Sequence, residues 1–259
     1  MCRIIYIGEL RMTGYWLMTV VGLIAARIYI CITIRGGKAG QAKLYDFATL
    51  LFLAMIAAFV GGKLLNMLKN LPPILRNLAF YRGRTGALWA DLTAGRSFFG
   101  GFILMGLLWW WYIRRYKVPA DVVSAIATPA VALFMVFARI GCFLSGCCYG
   151  VPVRWGVVFP EGVPAPAGVP LFPSQLAESA AHLLLFIALA VLSRRLRQKW
   201  LMFPLYLAGY GAARFVLEFW RGDNAPVFLH LTLNQWIGLA LPFVAAALIW
   251  LRRRWEARA

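Results

Sequence analysis

Charge is scarce in this chain. Asp, Glu, Lys and Arg together make up 14% of its 259 residues, and 62% are hydrophobic. An ordinary soluble domain carries about a quarter charged residues. The shortage excludes a soluble globular protein and points to a multi-span membrane protein. Acids are the scarcest charge: nine Asp and Glu against 27 Lys and Arg leave a formal net charge of +18. In a soluble chain that excess would point to nucleic acid. No basic run is interleaved with aromatics in a polar stretch, so nucleic acid is excluded as a partner. The basic residues instead flank apolar runs, where they face anionic membrane lipids.

Other absences narrow the reading further. There is no internal repeat and no low-complexity linker, so the expectation is a single multi-pass domain over residues 1–259. The first apolar run has no small-residue cleavage site and is followed by further runs, so no cleavable signal peptide is expected. No Cys-x-x-Cys is present, which weakens a thiol-redox reading. Histidine occurs twice. The absence of a nearby His, or of a second Cys pair, beside Cys142, Cys147 and Cys148 argues against zinc.

Apolar length, by contrast, is abundant. Seven runs approach the roughly 20 residues a helix needs to cross a bilayer: Tyr15–Ile34, Phe47–Leu68, Phe98–Tyr112, Asp121–Phe137, Gln175–Leu192, Leu201–Trp220 and Leu233–Leu251. Eleven tryptophans suit belts at both interfaces. Basic clusters at Arg35–Lys43, Arg114–Lys117, Arg194–Lys199 and Arg252–Arg254 fall on one side, which the positive-inside rule makes cytoplasmic. The expected fold is therefore an all-α membrane protein of about seven transmembrane helices. Its N-terminus lies outside, its C-terminus lies in the cytoplasm, and a site faces outward among irregular external loops. Those external pieces are Lys69–Arg96, Cys142–Ser174 and Arg221–Thr232. The middle one is broken by Pro and Gly between Val163 and Pro170. Arg76, Arg82, Arg84 and Arg96 depart from the charge bias, either harmlessly or as holders of lipid phosphate.

Polar residues concentrate at the external ends. Arg139 closes the fourth run and is followed by Gly141, Cys142, Ser145, Gly146, Cys147, Cys148 and Gly150. An arginine at membrane depth faces a cavity or a partner, and the glycines allow close backbone approach to a ligand. Arg214, Glu218 and Arg221, at i, i+4 and i+7, share one helical face. They form either a self-neutralising strip or a phosphate site in which Glu218 fixes both guanidinium planes. Gly61-Gly62-Lys63 and the run from Gly95 to Gly101 add small-residue clusters, by helix packing or around a common cavity. Pro173 and Ser174 read as capping chemistry for the fifth run, with Gln175 and Glu178 aimed one turn inward. The three cysteines either fill a packed turn, pair as a disulfide from Cys142 to Cys147 or Cys148, or hold a metal. His182 reads as a hydrogen-bonded interior residue. His230, in the last external loop, is the histidine placed to act as a base or simply to sit on a surface loop. Cys2 and Cys31 look incidental.

In this order these patches resemble the prolipoprotein diacylglyceryl transferase family over most of the chain. The resemblance rests on Arg139-Ile-Gly-Cys-Phe-Leu-Ser-Gly-Cys-Cys-Tyr-Gly150, Arg214-Phe-x-x-Glu218-x-x-Arg221, Pro173-Ser-Gln175-x-x-Glu178 and Leu231-Thr-x-x-Gln235. Tyr15-Trp-Leu-Met and Gly61-Gly62-Lys63 match more loosely. It implies seven helices in a bacterial inner membrane, an outward active site, and no metal or cofactor. The implied reaction moves the diacylglyceryl group of phosphatidylglycerol to the lipobox cysteine of a prolipoprotein signal peptide, releasing glycerol 1-phosphate. Carried onto this chain, catalysis falls to Arg139, Arg214 and Glu218, and His230, by its place in the last external loop, is added as the base. Substrate binding falls to Arg139, Arg221, Tyr15, Gly141, Cys142, Ser145, Gly146, Gly150, Gln175, Glu178 and Gln235. The chain departs from the pattern at Phe99 and Phe172, where the family has His, and at Cys142, Ser145 and Cys147, where it has Asn, Asn and Glu. Ala177 stands for an aromatic. These departures mark a divergent member. It transfers to a lipobox cysteine, transfers to another acceptor, or binds lipid without transfer on the same fold.

Overall fold

Helices make up most of the computed structural model, which describes residues 5–7, 10–38, 43–93, 98–224 and 226–258. A short hairpin, β1 (Ile5–Ile7) and β2 (Leu10–Met12), precedes α1 (Gly14–Thr33). Then come α2 (Leu44–Ile56), α3 (Gly62–Arg76), α4 (Leu78–Tyr81), α5 (Thr85–Thr93), α6 (Phe98–Tyr116) and α7 (Ala120–Ser145). Strands β3 (Pro152–Val158) and β4 (Pro170–Leu171) form a small antiparallel pair before α8 (Ser174–Arg195) and α9 (Met202–Leu217). A second pair, β5 (Pro226–Phe228) and β6 (Leu231–Thr232), leads into α10 (Leu233–Glu256).

Six helical stretches among the described residues are long and apolar enough to cross a membrane: Gly14–Gly36, Leu44–Arg76, Ala120–Ser145, Ser174–Arg195, Lys199–Trp220 and Leu233–Glu256. Their outward faces are rich in exposed Leu, Ile, Phe and Trp, such as Ile32, Leu184, Phe243 and Trp250. That is the arrangement hydrocarbon solvent requires. The chain divides into two compact units, one of residues 1–39 with 121–259, the other of residues 40–120.

Several boundaries differ from the sequence expectation. α7 continues past Phe137 to Ser145, so Cys142–Ser145, expected to open an external loop, lie within the helix along with Arg139 and Gly141. Nothing in Arg139–Leu144 breaks a helix, and the chain leaves it only at Gly146, with φ +68°. Gly61-Gly62-Lys63 lies inside a continuous helical stretch. A π-helical turn over Ala57–Gly61 passes directly into α3. Gly61 there lies against the Gly100 carbonyl, a close helix packing inside the second unit. The expected external piece from Lys69 begins as helix as far as Arg76 and includes α4 and α5. Gly95, Arg96, Ser97 and Cys2 lie outside the described residues, and so does the side chain of Phe99. The Pro- and Gly-rich stretch between β3 and β4 is irregular, as expected.

Glycine also sets the packing of α9 on α10. A Cβ on Gly211 would stand 2.7 Å from the Gly238 carbonyl oxygen, and one on Gly238 would stand 2.9 Å from the Gly211 carbonyl oxygen. The two backbones touch, and neither can move to admit a side chain without separating the helices. Gly211→Val is expected to destabilise the fold by about 1–3 kcal/mol. Thermal unfolding in detergent checks this, since an unchanged midpoint would mean the helices are not in backbone contact.

Candidate functional site

Glu178 is the centre of the polar interior. It lies one turn into α8 and is 2% exposed. Three arginines reach it. Arg139 from α7 approaches Oε2 through Nε at 2.7 Å. Arg214 from α9 donates to Oε1 through Nη1, and Arg221 donates to the same oxygen at 3.0 Å. A lone buried carboxylate would be untenable, and so would any of these guanidinium groups alone. Together they stabilise one another.

Glu218 is buried as well, and its partners are almost all donors. Oε2 pairs with Arg214 Nη2 at 2.8 Å. Oε1 accepts from Asn224 Nδ2 at 2.7 Å, Thr232 Oγ1 at 2.8 Å and Asn234 Nδ2 at 3.0 Å. The β5–β6 hairpin and the first turn of α10 are thereby tied to the end of α9. Arg221 forms a two-pronged pair with Asp223, Nε to Oδ1 at 2.8 Å and Nη2 to Oδ2 at 2.7 Å. Burial opposes the charge on Arg221, but Glu178 outweighs it and, with lesser help from Cys148 and Asp223, holds the guanidinium firmly protonated. Three arginines thus face three carboxylates, and these six groups together carry no net formal charge.

This corrects the sequence expectation in two ways. Arg221 is not on the helical face of Arg214. α9 ends at Leu217, Glu218–Trp220 form a 3-10 turn, and Arg221 is extended at φ −85°. Glu218 therefore fixes only Arg214, and the carboxylate between the bases is Glu178. Backbone pairing of Gly150 with Arg221 brings Arg221 back to the site, with Val151 N–H donating to Trp220 O at 3.0 Å and Gly222 N–H to Tyr149 O at 3.1 Å. Gly150 has no room for a side chain, because Phe172 and Trp220 backbone oxygens crowd it.

Other expected residues sort as follows. Gln175 is fully buried and donates to Cys147 O at 2.7 Å. Ser174 Oγ donates to Cys148 O at 2.7 Å and does not cap α8, whose N-cap Pro173 offers no side-chain bond. Tyr15 lies beside Gly141, where a Cβ would stand 3.2 Å from the Tyr15 Cα. Gly146 is closed over by Val163. Ser145 ends α7. Gln235 shares a capping box with Thr232 at the start of α10, each side chain bonding the other's backbone N–H. His230 is exposed at the β5–β6 turn with φ +56°. Among the described residues, no hydrogen bond or ion pair joins it to the arginine cluster. His182 is not the hydrogen-bonded interior residue expected. It is 1% exposed, neither ring nitrogen has a hydrogen-bond partner, and its ring stacks on Tyr210 at 5.1 Å. Both line a small cavity with Glu178, Ala213, Arg214 and Leu217. Tyr210, Asp223, Asn224, Thr232 and Asn234 were not singled out from sequence for a site role. The capping pattern Thr232-x-x-Gln235 was the signal available for Thr232.

Cys142, Cys147 and Cys148 are free thiols, not a disulfide. Hydrogen bonds from Cys142 and Cys147, aided by the charges of Arg221 and Arg139, hold the Cys148 thiol far below its ordinary value. Hydrogen bonds with Cys142 and Cys148, together with burial, hold Cys147 far above.

A polytopic helical protein with a buried arginine–carboxylate cluster at its helix ends is the class these features define. The sequence model described as prolipoprotein diacylglyceryl transferase matches residues 3–251. Curated relatives carry the name phosphatidylglycerol–prolipoprotein diacylglyceryl transferase. One from Geobacter sulfurreducens is 33% identical over 227 residues, covering 86% of this chain and 83% of the relative. One from Clostridium tetani is 31% identical over 232 residues, covering 89% of each. One from Cupriavidus pinatubonensis is 29% identical, covering 96% of this chain and 91% of the relative. The chain belongs to the prolipoprotein diacylglyceryl transferase family.

Two outcomes are expected from the site geometry. Glu178→Gln leaves three buried guanidinium groups short of their shared acceptor and costs about 3–5 kcal/mol of stability, which unfolding in detergent measures. Because its pKa is lowered, Cys148 stays ionised as pH falls below the ordinary thiol range. Alkylation by iodoacetamide at pH 6, read by peptide mass, is expected to mark Cys148 before Cys147. The reverse order would place the thiolate elsewhere.

Proposed function

We propose that this protein transfers the diacylglyceryl group of phosphatidylglycerol to the thiol of a prolipoprotein lipobox cysteine. Its place in the family and the names of its relatives support the reaction class. The observation that carries the reading is the convergence of Arg139 from α7, Arg214 from α9 and Arg221 from the turn beyond α9 on one buried carboxylate. In the reaction the acceptor sulfur bonds to the glyceryl carbon, the carbon–oxygen bond breaks, and glycerol 1-phosphate leaves with the electron pair. Charge develops on the departing phosphate, so fixed cationic donors lower the barrier. The resting cluster is neutral, so the phosphate competes with carboxylates for those donors. Arg139 is the readiest arm, because its ion pair occupies Nε and not its two Nη groups. The thiol proton passes to a base, in this reading His230. Gln175, Gln235, Tyr15 and the glycine-bearing segment from Gly141 to Gly150 position the lipid and the acceptor.

In the same reading α6 is the seventh crossing, the N-terminus lies outside, the C-terminus is cytoplasmic, and the site faces the periplasm or exterior of a bacterial inner membrane. A second reading has support of its own. Cys142, Ser145 and Cys147 stand where the family has Asn, Asn and Glu, so the same fold would move a glycerolipid group to a different acceptor, or hold lipid without transfer.

Complementation of a strain lacking its own transferase tests substrate and chemistry together. With purified protein, phosphatidylglycerol and a lipobox peptide, glycerol phosphate release is expected. Lipid retained without release would favour the non-catalytic reading. Arg139→Ala and Arg214→Ala are each expected to lower release at least about a hundredfold, the range for loss of one donor to a developing anion, while still reaching the membrane. Turnover at the parent rate in either variant would remove phosphate clamping. His230→Gln is expected to slow release and change its pH dependence; an unchanged profile would assign the base elsewhere.

A further inference from the structure

The turn that follows α7 gathers sulfur. Cys142 lies in the last turn of the helix, Cys147 and Cys148 follow Gly146, and the three Sγ atoms all lie within 4.8 Å of one another. Cys142 is buried, and the other two are half-buried. The backbone is bent to produce this convergence. Gly146 leaves the helix at φ +68°, and Cys148 adopts φ +60°. The second conformation is unfavourable for a residue with a Cβ, so the surroundings must enforce it. They do so through α8. Gln175 Nε2 holds the Cys147 carbonyl and Ser174 Oγ holds the Cys148 carbonyl, each at 2.7 Å, while Cys147 N–H donates to Cys142 O at 3.2 Å.

A disulfide joins two sulfurs and has no use for a third. An ion bonded to sulfur at about 2.3 Å holds three of them about 4 Å apart, a spacing within reach of this cluster by small side-chain rotations. Sulfur-only ligands select zinc or monovalent copper over hard cations. Arg139 acts electrostatically on Cys142 and Cys148, and Arg221 on Cys148, so cationic groups lie beside the sulfurs.

From this geometry we infer that Cys142, Cys147 and Cys148 form a three-thiolate site for a soft closed-shell cation, zinc or monovalent copper. Zinc held by three protein ligands keeps a fourth position for an outside ligand. The sulfur geometry carries this assignment whether or not the transfer reaction occurs, and Cys142 also lies in the segment read as positioning the substrates.

The test uses the full chain, purified in detergent, reduced, and incubated without oxygen with zinc in one arm and monovalent copper in the other. Metal retained after desalting is measured by elemental mass spectrometry, and maleimide labelling of each cysteine by peptide mass. One arm or the other is expected to give a single ion per chain, with Cys142, Cys147 and Cys148 protected from labelling and Cys31 not. Cys147→Ser and Cys142→Ser are expected to weaken retention by more than the roughly tenfold typical of losing an outer-shell partner, and Cys31→Ser to leave it unchanged. Equal retention by a variant with all three replaced by serine overturns the assignment. So does a lack of protection in both arms, or a disulfide between two of the three in the protein before reduction. Should the variant with all three replaced fail to fold, Cys147→Ser and Cys142→Ser decide, and retention at the parent level in both overturns the assignment.

Discussion

A carboxylate shared by three guanidinium groups holds this structure's polar interior together. Glu178 receives Arg139, Arg214 and Arg221, and neither sign of charge could be buried without the other. In water such pairs contribute little, because solvation is nearly as good. Inside a helical membrane protein the alternative is an unpaired ion, so the same contacts become decisive. The cluster also explains the accessory bonds. Asp223 takes the far side of Arg221, and Glu218 takes the far side of Arg214. Asn224, Thr232 and Asn234 then satisfy the remaining lone pairs of Glu218.

The arrangement is neutral as it stands, which shapes how it would meet a phosphate. A cluster with surplus positive charge would attract anions strongly at rest and release them slowly. One already balanced by carboxylates offers its donors only to a group that competes well for them, and such a group gains most when its own charge is growing. In the proposed reading, that behaviour suits stabilisation of a departing phosphate better than storage of a lipid headgroup.

Much of the fold was legible in the sequence, because apolar length and flanking charge are local signals. The arginines and Glu178 were legible too, since ionisable residues beside long apolar runs stand out. Their pairing was not. Helical periodicity reports neighbours one or two turns apart, so it joined Glu218 to both Arg214 and Arg221. The partner that bridges Arg221 is Glu178, far away in sequence. The bend that carries Arg221 off its helix depends on the bridge to Gly150, which spacing within a single helix does not report. His182 was misjudged for a related reason. Its position inside an apolar run implied a bonded partner, yet the ring is held by stacking on Tyr210 and not by hydrogen bonds. Where α7 ends was also hidden, because Arg139 and Gly141 are residues a helix can carry and the stop lies only at Gly146.

The sharing of one acid among three bases has a consequence for how the chain enters its bilayer. Arg139 is synthesised first, Glu178 next, and Arg214 and Arg221 last. The nascent protein therefore meets each new charge with an opposite one already waiting or soon to follow. Insertion from α7 onward becomes a sequence of neutralisations, and a ribosome pause or truncation between Arg139 and Glu178 would leave a lone cation in the translocation machinery.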